Sequence, residues 1–171
     1  SRGRNISKTY SLQASAYAEL QPIKNLRIKS QFGYRFSGDS YRSYTMKYRL
    51  SGGQYEDYDE MSQSMYLGHK ITWENTASYH FDINDEHVFD VVAGQSIEKW
   101  GMGEDISGTS ANSIFINDFD RAYLDNAKPE GMHQMSLGGA PSSQGALASF
   151  FGRVNYSIKD TYLFSATVRA D

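Results

Sequence analysis

The sequence predicts an all-β chain: an antiparallel meander of about six long strands, joined alternately by tight turns and long loops. Three observations carry that prediction. Apolar and polar residues alternate with a period of two in six separate runs, the spacing at which a strand presents one dry and one wet face. Each run is about 9 to 12 residues long, against about 5 to 6 for the usual strand of a globular domain. The connections alternate too, about three to five residues and then lengths well beyond the roughly 12 to 15 at which structureless loops become uncommon.

The first run, Thr9 to Leu20, sets Tyr10, Leu12, Ala14, Ala16, Ala18 and Leu20 against Thr9, Ser11, Gln13, Ser15, Tyr17 and Glu19. Gln21-Pro22-Ile23-Lys24-Asn25 is expected to break it, since Pro cannot donate to a ladder and Asn favours turns. The second, Leu26 to Phe36, alternates Leu26, Ile28, Phe32, Tyr34 and Phe36 with Arg27, Lys29, Gln31 and Arg35. The third, Ile71 to Phe81, sets Ile71, Trp73, Ala77, Tyr79 and Phe81 against Thr72, Glu74, Thr76, Ser78 and His80, and Asp82 to Glu86 turns the chain. The fourth, Val88 to Lys99, alternates most weakly, with Phe89, Val91, Ala93 and Ile97 against Asp90, Gly94, Ser96 and Glu98. The last two runs flank Lys159-Asp160-Thr161. Phe150, Val154, Tyr156 and Ile158, then Tyr162, Phe164, Ala166, Val168 and Ala170, oppose Arg153, Asn155, Ser157, Ser165, Thr167 and Arg169. Hairpins are thus expected over about 9–36, 71–99 and 149–170, with long loops over about 37–70 and 100–148.

What the dry rows meet is the next question. A net charge of -3 offers nothing to nucleic acid or to anionic headgroups. No apolar run approaches the roughly 20 residues of a membrane helix. A mean hydropathy of -0.60 looks soluble, but that index is blind to membrane strands, whose polar row cancels the apolar one. The run length matches the roughly 9 to 11 residues of a tilted crossing strand. Short turns at one end with long loops at the other suit an outer-membrane barrel, as do aromatics at the run ends. Those are Tyr79, Phe81, Phe89, Tyr156, Tyr162 and Phe164 near the turns, and Tyr34, Phe36 and Trp73 near the loops. A soluble or surface-attached β-rich module that binds carbohydrate or protein explains the same alternation, with the dry rows in a closed core. Periodicity leaves both open; the cover over Phe32, Ala166 and Val168 separates them.

No catalytic constellation is present. The chain has no cysteine, and it opens at Ser1-Arg2-Gly3 with no initiator Met and no signal peptide. His69, His80, His87 and His133 lack hydrolase or zinc spacing, and His80 opposite Asp90 reads as a structural pair on the wet face. Gly101-Met102-Gly103 and Gly138-Gly139 do not open a helix as a phosphate cradle does. Asn117, Asp118, Asp120 and Asp125 lack the spacing of a calcium loop and read as solvated acids. No cofactor, metal or enzymatic activity is therefore expected. Binding candidates lie in the long loops: Tyr41, Tyr44, Tyr48, Tyr55, Tyr58 and Tyr66 in the first, with Arg42, Arg49, Asp57 and Asp59, and Trp100, Phe115, Phe119, Arg121 and Tyr123 in the second. Rings flanked by hydrogen-bonding groups suit sugars or a protein partner; the plainer alternative is that they pack the loops over the strand ends. Apolar spacing over Ile114 to Asn126 admits a short loop helix.

The segments ITWENTASY (Ile71 to Tyr79), FDVVAGQSIEK (Phe89 to Lys99) and SFFGRVNYSIKDTYLFSATVRAD (Ser149 to Asp171) resemble the β-barrel of SusC/RagA-type TonB-dependent transporters of Bacteroidetes. The succession Phe-Gly-Arg-Val-Asn-Tyr then Tyr-Leu-Phe-Ser-Ala-Thr-Val-Arg-Ala-Asp is the specific part. Ala18 to Leu26 resembles an earlier hairpin of the same barrel, and the long loops match in position only. The resemblance implies a barrel of about 22 strands with a plug in its lumen, in a Gram-negative outer membrane. It implies import of oligosaccharides, glycans or peptides driven through TonB, under a SusD-like surface lipoprotein. On that reading Arg27, Lys29, Arg35, Glu74 and Arg153 face the lumen or plug, the dry rows face outer-membrane lipid, and plug, TonB-contacting segment and closing strands are expected outside this chain.

Overall fold

The computed structural model describes residues 3–159 and 161–171, so Asp160, the centre of one expected turn, lies outside the described residues. Nine strands are present among them: β1 (Gly3–Ile23), β2 (Leu26–Thr45), β3 (Tyr48–Ser51), β4 (Gln54–Glu56), β5 (Glu60–Ile83), β6 (His87–Ala111), β7 (Ser136–Pro141), β8 (Gly145–Ile158) and β9 (Tyr162–Ala170). Six of them form the expected meander, in the order β1-β2-β5-β6-β8-β9, with β7 also on β6. β3 and β4 make a separate antiparallel ribbon.

The strands run further than the alternation foretells. β2 continues nine residues past Phe36, β5 begins eleven before Ile71, and β6 continues twelve past Lys99. Much of the two expected long loops is therefore strand, and the irregular chain shrinks to 46–59 around the ribbon and to 112–135. Period two reads a contrast between rows, and the contrast fades where both faces are mixed in polarity, as in Ser40-Tyr41-Arg42-Ser43, while the ladder persists. Pro22 does not break β1 either. β1 lies at the end of the strand order, where a missing N–H is tolerated. The turns are made by residues that accept left-handed backbone: Asn25 (φ 68), Asn84 (φ 54) and Asp85 (φ 56), with Lys159 (φ 49) beside the last.

The fold has two compact units. One comprises Gln13–Arg35, His69–Gly101 and Gln144–Asp171. Its β8–β9 register pairs Val154 with Ala166, Tyr156 with Phe164 and Ile158 with Tyr162, and on the other face Arg153 with Thr167 and Asn155 with Ser165. The dry row continues onto β6 through Phe89 opposite Tyr156 and Val91 opposite Val154. Rings stack across four strands at the turn end of this row: Phe81 on Phe89 (4.8 Å), Phe89 on Tyr156 (4.4 Å) and Tyr156 on Phe164 (6.2 Å). Among the described residues nothing closes over the row. Phe32 is 47% exposed, Trp73 45%, Ile97 42% and Val168 72%, and Ala166 is exposed as well. The wet face is tied by Lys70 to Glu98 (2.8 Å), Ser165 to Asn155 (2.8 Å) and the expected His80–Asp90 pair (2.7 Å).

The other unit comprises the chain up to Leu12, Phe36–Gly68 and Met102–Ser143. It has a true core of Tyr44, Met61, Phe119 and Ala122, with Ile6, Met46, Leu124 and Ala127 packed against it. Segment 112–128 therefore lies over the faces of β1, β2 and β5 that carry Ile6, Tyr44 and Met61. Between β5 and β6 the backbones come so close that a Cβ on Gly103 would stand 1.8 Å from the Leu67 carbonyl oxygen. Among the described residues no helix is long and apolar enough to cross a membrane, which says nothing of strands.

Candidate functional site

The expected aromatic candidates fall into three environments. Tyr44 and Phe119 are buried and pack the loop core, so neither offers a face to a ligand; this corrects their reading as contact residues. The Tyr44 hydroxyl donates to Asp59 Oδ2 (2.6 Å) and accepts from the Asn117 N–H (3.0 Å), while Asp59 Oδ1 accepts from the Ser113 N–H (2.9 Å). Asp59, itself 3% exposed, thus clamps two points of segment 112–128 to the strands. Burial, then the hydrogen bond to Asp59, pushes the Tyr44 phenol up to about 12.

A second clamp is cationic. The Arg42 guanidinium lies 4.2 Å from the Phe119 ring centroid and 4.1 Å from that of Tyr123, and Arg4 is 4.5 Å from Phe119. Arg42 also donates to the Phe119 and Ala122 carbonyls. Arg121 stacks on Phe115 at 5.0 Å. In place of the short helix that the spacing over 114–126 admits there are two 3-10 turns, Phe119–Arg121 and Leu124–Asn126. Asp118, set aside as a solvated acid, caps the first turn, its Oδ1 accepting from the Asp120 and Arg121 N–H groups. Among the described residues no group of three His, Asp or Glu could hold a metal. Each histidine touches an aromatic or acidic neighbour: His69 binds the Tyr34 hydroxyl, His87 that of Tyr156, His80 binds Asp82 and Asp90, and His133 lies on Tyr58 at 3.9 Å.

Tyr48 and Tyr55 sit on the β3–β4 ribbon, where Arg49 covers Tyr55. Trp100 lies on β6 over Gly145, whose missing side chain leaves room for the indole. Tyr41 and Tyr66 come together. They line a cleft of about 180 Å3 with Asp39, Ser64, Asp105 and Ser107. Tyr66 folds back along β5 over Gly68, at whose missing Cβ its hydroxyl and ring edge would stand 2.4 and 2.9 Å away. Of the expected lumen residues, Arg27 borders a cleft of about 380 Å3 with Asn25, His80 and Asp90, and Lys29 lies 4.7 Å from the Tyr17 ring. Arg153 reaches Asn155 (3.3 Å), while Arg35 and Glu74 are exposed on their strands. The structure does not gather these five into one site.

No family model matches the chain. Two curated relatives do, both from Formosa agariphila: TonB-dependent receptor P39, 29% identical over 99 residues, and TonB-dependent receptor P26, 26% identical over 177 residues. These alignments cover 57% and 98% of this chain but 9% and 16% of the relatives, so the chain spans a small part of their length. Among solved structures, the RagAB peptide importer in its open-open state matches with a TM-score of 0.79 at 21% identity. Its closed-closed state gives 0.76 at 22%. Both cover 98% of this chain and 18% of the matched one. In sequence and in fold the likeness of this chain is to SusC/RagA-type TonB-dependent transporters.

Proposed function

We propose that this chain is a stretch of the barrel wall of a TonB-dependent outer-membrane nutrient importer and carries no enzymatic activity. The supporting observation is the uncovered dry row. Ile28, Phe32, Trp73, Ile97 and Val154 lie on strands with a neighbour on either side, and each is between 39% and 47% exposed. At that exposure each such side chain forfeits in water roughly 0.6–1.4 of the about 1.5–3 kcal/mol that full burial gives; against hydrocarbon it forfeits nothing. A soluble binding module would close a core over them, and none is present among the described residues. The ring ladder at the turn end is placed as an interfacial girdle requires. The wet row, with Arg27, Lys29, Arg35, Glu74 and Arg153, faces the lumen and a plug supplied outside this chain, through which TonB acts.

The substrate is an oligosaccharide or peptide, admitted at the loop end under a SusD-like lipoprotein. The long strands and the aromatic loop residues support that reading, because they build an extramembrane rim far larger than a hairpin turn needs. The test is made on the full-length protein in its own cells. It should fractionate with the outer membrane, need detergent for extraction and run with heat-modifiable mobility, and uptake of one nutrient class should stop when TonB is removed. Recovery as a folded, monodisperse protein in plain buffer would overturn the proposal.

A further inference from the structure

We propose that the cleft between Tyr41 and Tyr66 recognises a cationic group, an ammonium or guanidinium, on the imported molecule; this rests on the reading of the wet row as the lumen wall. Alternation puts Asp39 and Tyr41 on the row of β2 that carries Arg35, and Ser64 and Tyr66 on the row of β5 that carries Glu74. β6 meets them with Asp105 and Ser107, odd-numbered, whereas its wet row at Asp90 and Glu98 is even-numbered. The left-handed Gly101 (φ 71) lies between those stretches, and a local kink of that kind re-aims the side chains that follow. The two carboxylates are only half used. Asp39 Oδ1 accepts from the Thr9 hydroxyl (2.7 Å) and Asp105 Oδ1 from the Ala140 N–H (3.1 Å), and among the described residues neither Oδ2 atom has a partner.

Among the described residues no basic side chain lines the cleft and neither aspartate forms an ion pair. The nearby cation on β2 is spent elsewhere, since Arg42 is held against Phe119 and Tyr123. Tyr66 lies back over Gly68, and Tyr41 is 39% exposed. Two phenol rings beside two open carboxylates offer acceptors and negative ring faces to a ligand, with hydroxyls as the sole donors. A cation gains charge-assisted hydrogen bonds and ring contacts there; an anionic group meets two like charges. At about 180 Å3 the space suits one sugar ring or one long side chain, not a whole substrate.

The experiment uses the full-length protein purified in detergent. Two matched probe pairs are titrated: glucosamine trisaccharide against its N-acetylated form, and trilysine against its acetylated form. The charged member of one pair should bind about tenfold tighter, a gap of about 1.4 kcal/mol. That gap should close in Asp39→Asn/Asp105→Asn and narrow with salt. Which pair shows it tells an amino sugar from a basic peptide. Equal binding of charged and neutral probes, no binding of either pair, or a preference that survives the double substitution would each overturn the proposal. Ser107→Cys, labelled on intact cells with a membrane-impermeant maleimide, checks the wall separately. Labelling with no charge preference sinks only the cation site, whereas a thiol shielded in lipid sinks the wall reading beneath it.

Discussion

Tyr44→Phe strips one hydroxyl from the clamp and leaves the ring in the core. Two hydrogen bonds go with it, the 2.6 Å bond to Asp59 Oδ2 and the 3.0 Å bond from Asn117. The Asn117 side of the loss is small, because that residue is exposed and water replaces the acceptor. Asp59 is 3% exposed and has no such recourse. A hydrogen bond to a charged group contributes about 1.5–3 kcal/mol, so a net loss of about 2 kcal/mol is expected. It should surface as local opening of segment 112–128, since surface segments open separately from the ladders beneath them. Two kcal/mol is about a thirtyfold change in an opening equilibrium. Hydrogen exchange on the full-length protein in detergent reads this directly. Peptides covering 112–128 should exchange about thirtyfold faster in the variant, and peptides from 87–99 of β6 should not change. Less than a threefold change in the first set, or an equal change in both, would refute the clamp.

The same phenol gives a pH signature. Its folded value of about 12 lies above the ordinary 10.0, so the folded segment keeps a proton that the unfolded one releases. The resulting stability is whole below about pH 10 and is lost as pH rises through about 12. Its size is up to about 3 kcal/mol, and on the order of 1–2 after solvent screening; the tyrosinate difference spectrum between wild type and Tyr44→Phe should show one phenol titrating near 12 rather than near 10. Gly103→Ala should cut the yield of heat-modifiable barrel severely, because its Cβ meets the Leu67 backbone oxygen at 1.8 Å, whereas Gly138→Ala, with nothing within 4 Å, should be neutral. Phe89→Ala removes an inner ring of the ladder and two stacked pairs, each contributing about 0.5–1.5 kcal/mol, so the melting midpoint in detergent should fall; Phe89→Trp should restore most of it.

The terminal hairpin was legible because its rows differ sharply: Tyr156 and Phe164 on one face, Asn155 and Ser165 on the other, with a turn between. β2 beyond Phe36 was not, because Ser40-Tyr41-Arg42-Ser43 carries no contrast for a period of two to detect. The loop aromatics show a different limit. Tyr44 and Tyr41 are three residues apart on one strand with similar local sequence, yet one is fully buried and the other 39% exposed. Alternation puts them on opposite rows, but what buries one row and not the other is Asn117, Phe119 and Ala122, more than seventy residues further on, so no local signal shows which tyrosine is covered. Asp39 and Asp105 were missed for the same reason, since the cleft exists only once β2, β5 and β6 are side by side.

On the membrane-barrel reading, strand length decides what the second loop is for. β5 has 24 residues and β6 has 25, roughly twice the 9 to 11 that a tilted crossing uses. Apolar residues in the surplus cannot rest on lipid. Left in water, each would cost about 1.5–3 kcal/mol. Tyr44 and Met61 avoid that cost at 0% exposure, under Phe119, Ala122 and Leu124. The guanidiniums of Arg4 and Arg42 on the Phe119 ring are themselves evidence of where this happens, because charges of that kind are expelled from hydrocarbon. Segment 112–128 is then a cover that the protein supplies where the membrane stops, which accounts for its aromatic content without a ligand. On the proposal of a cation site, ligand contact falls instead on the opposite row of the same strands, where Tyr41 and Tyr66 line a cleft with Asp39 and Asp105.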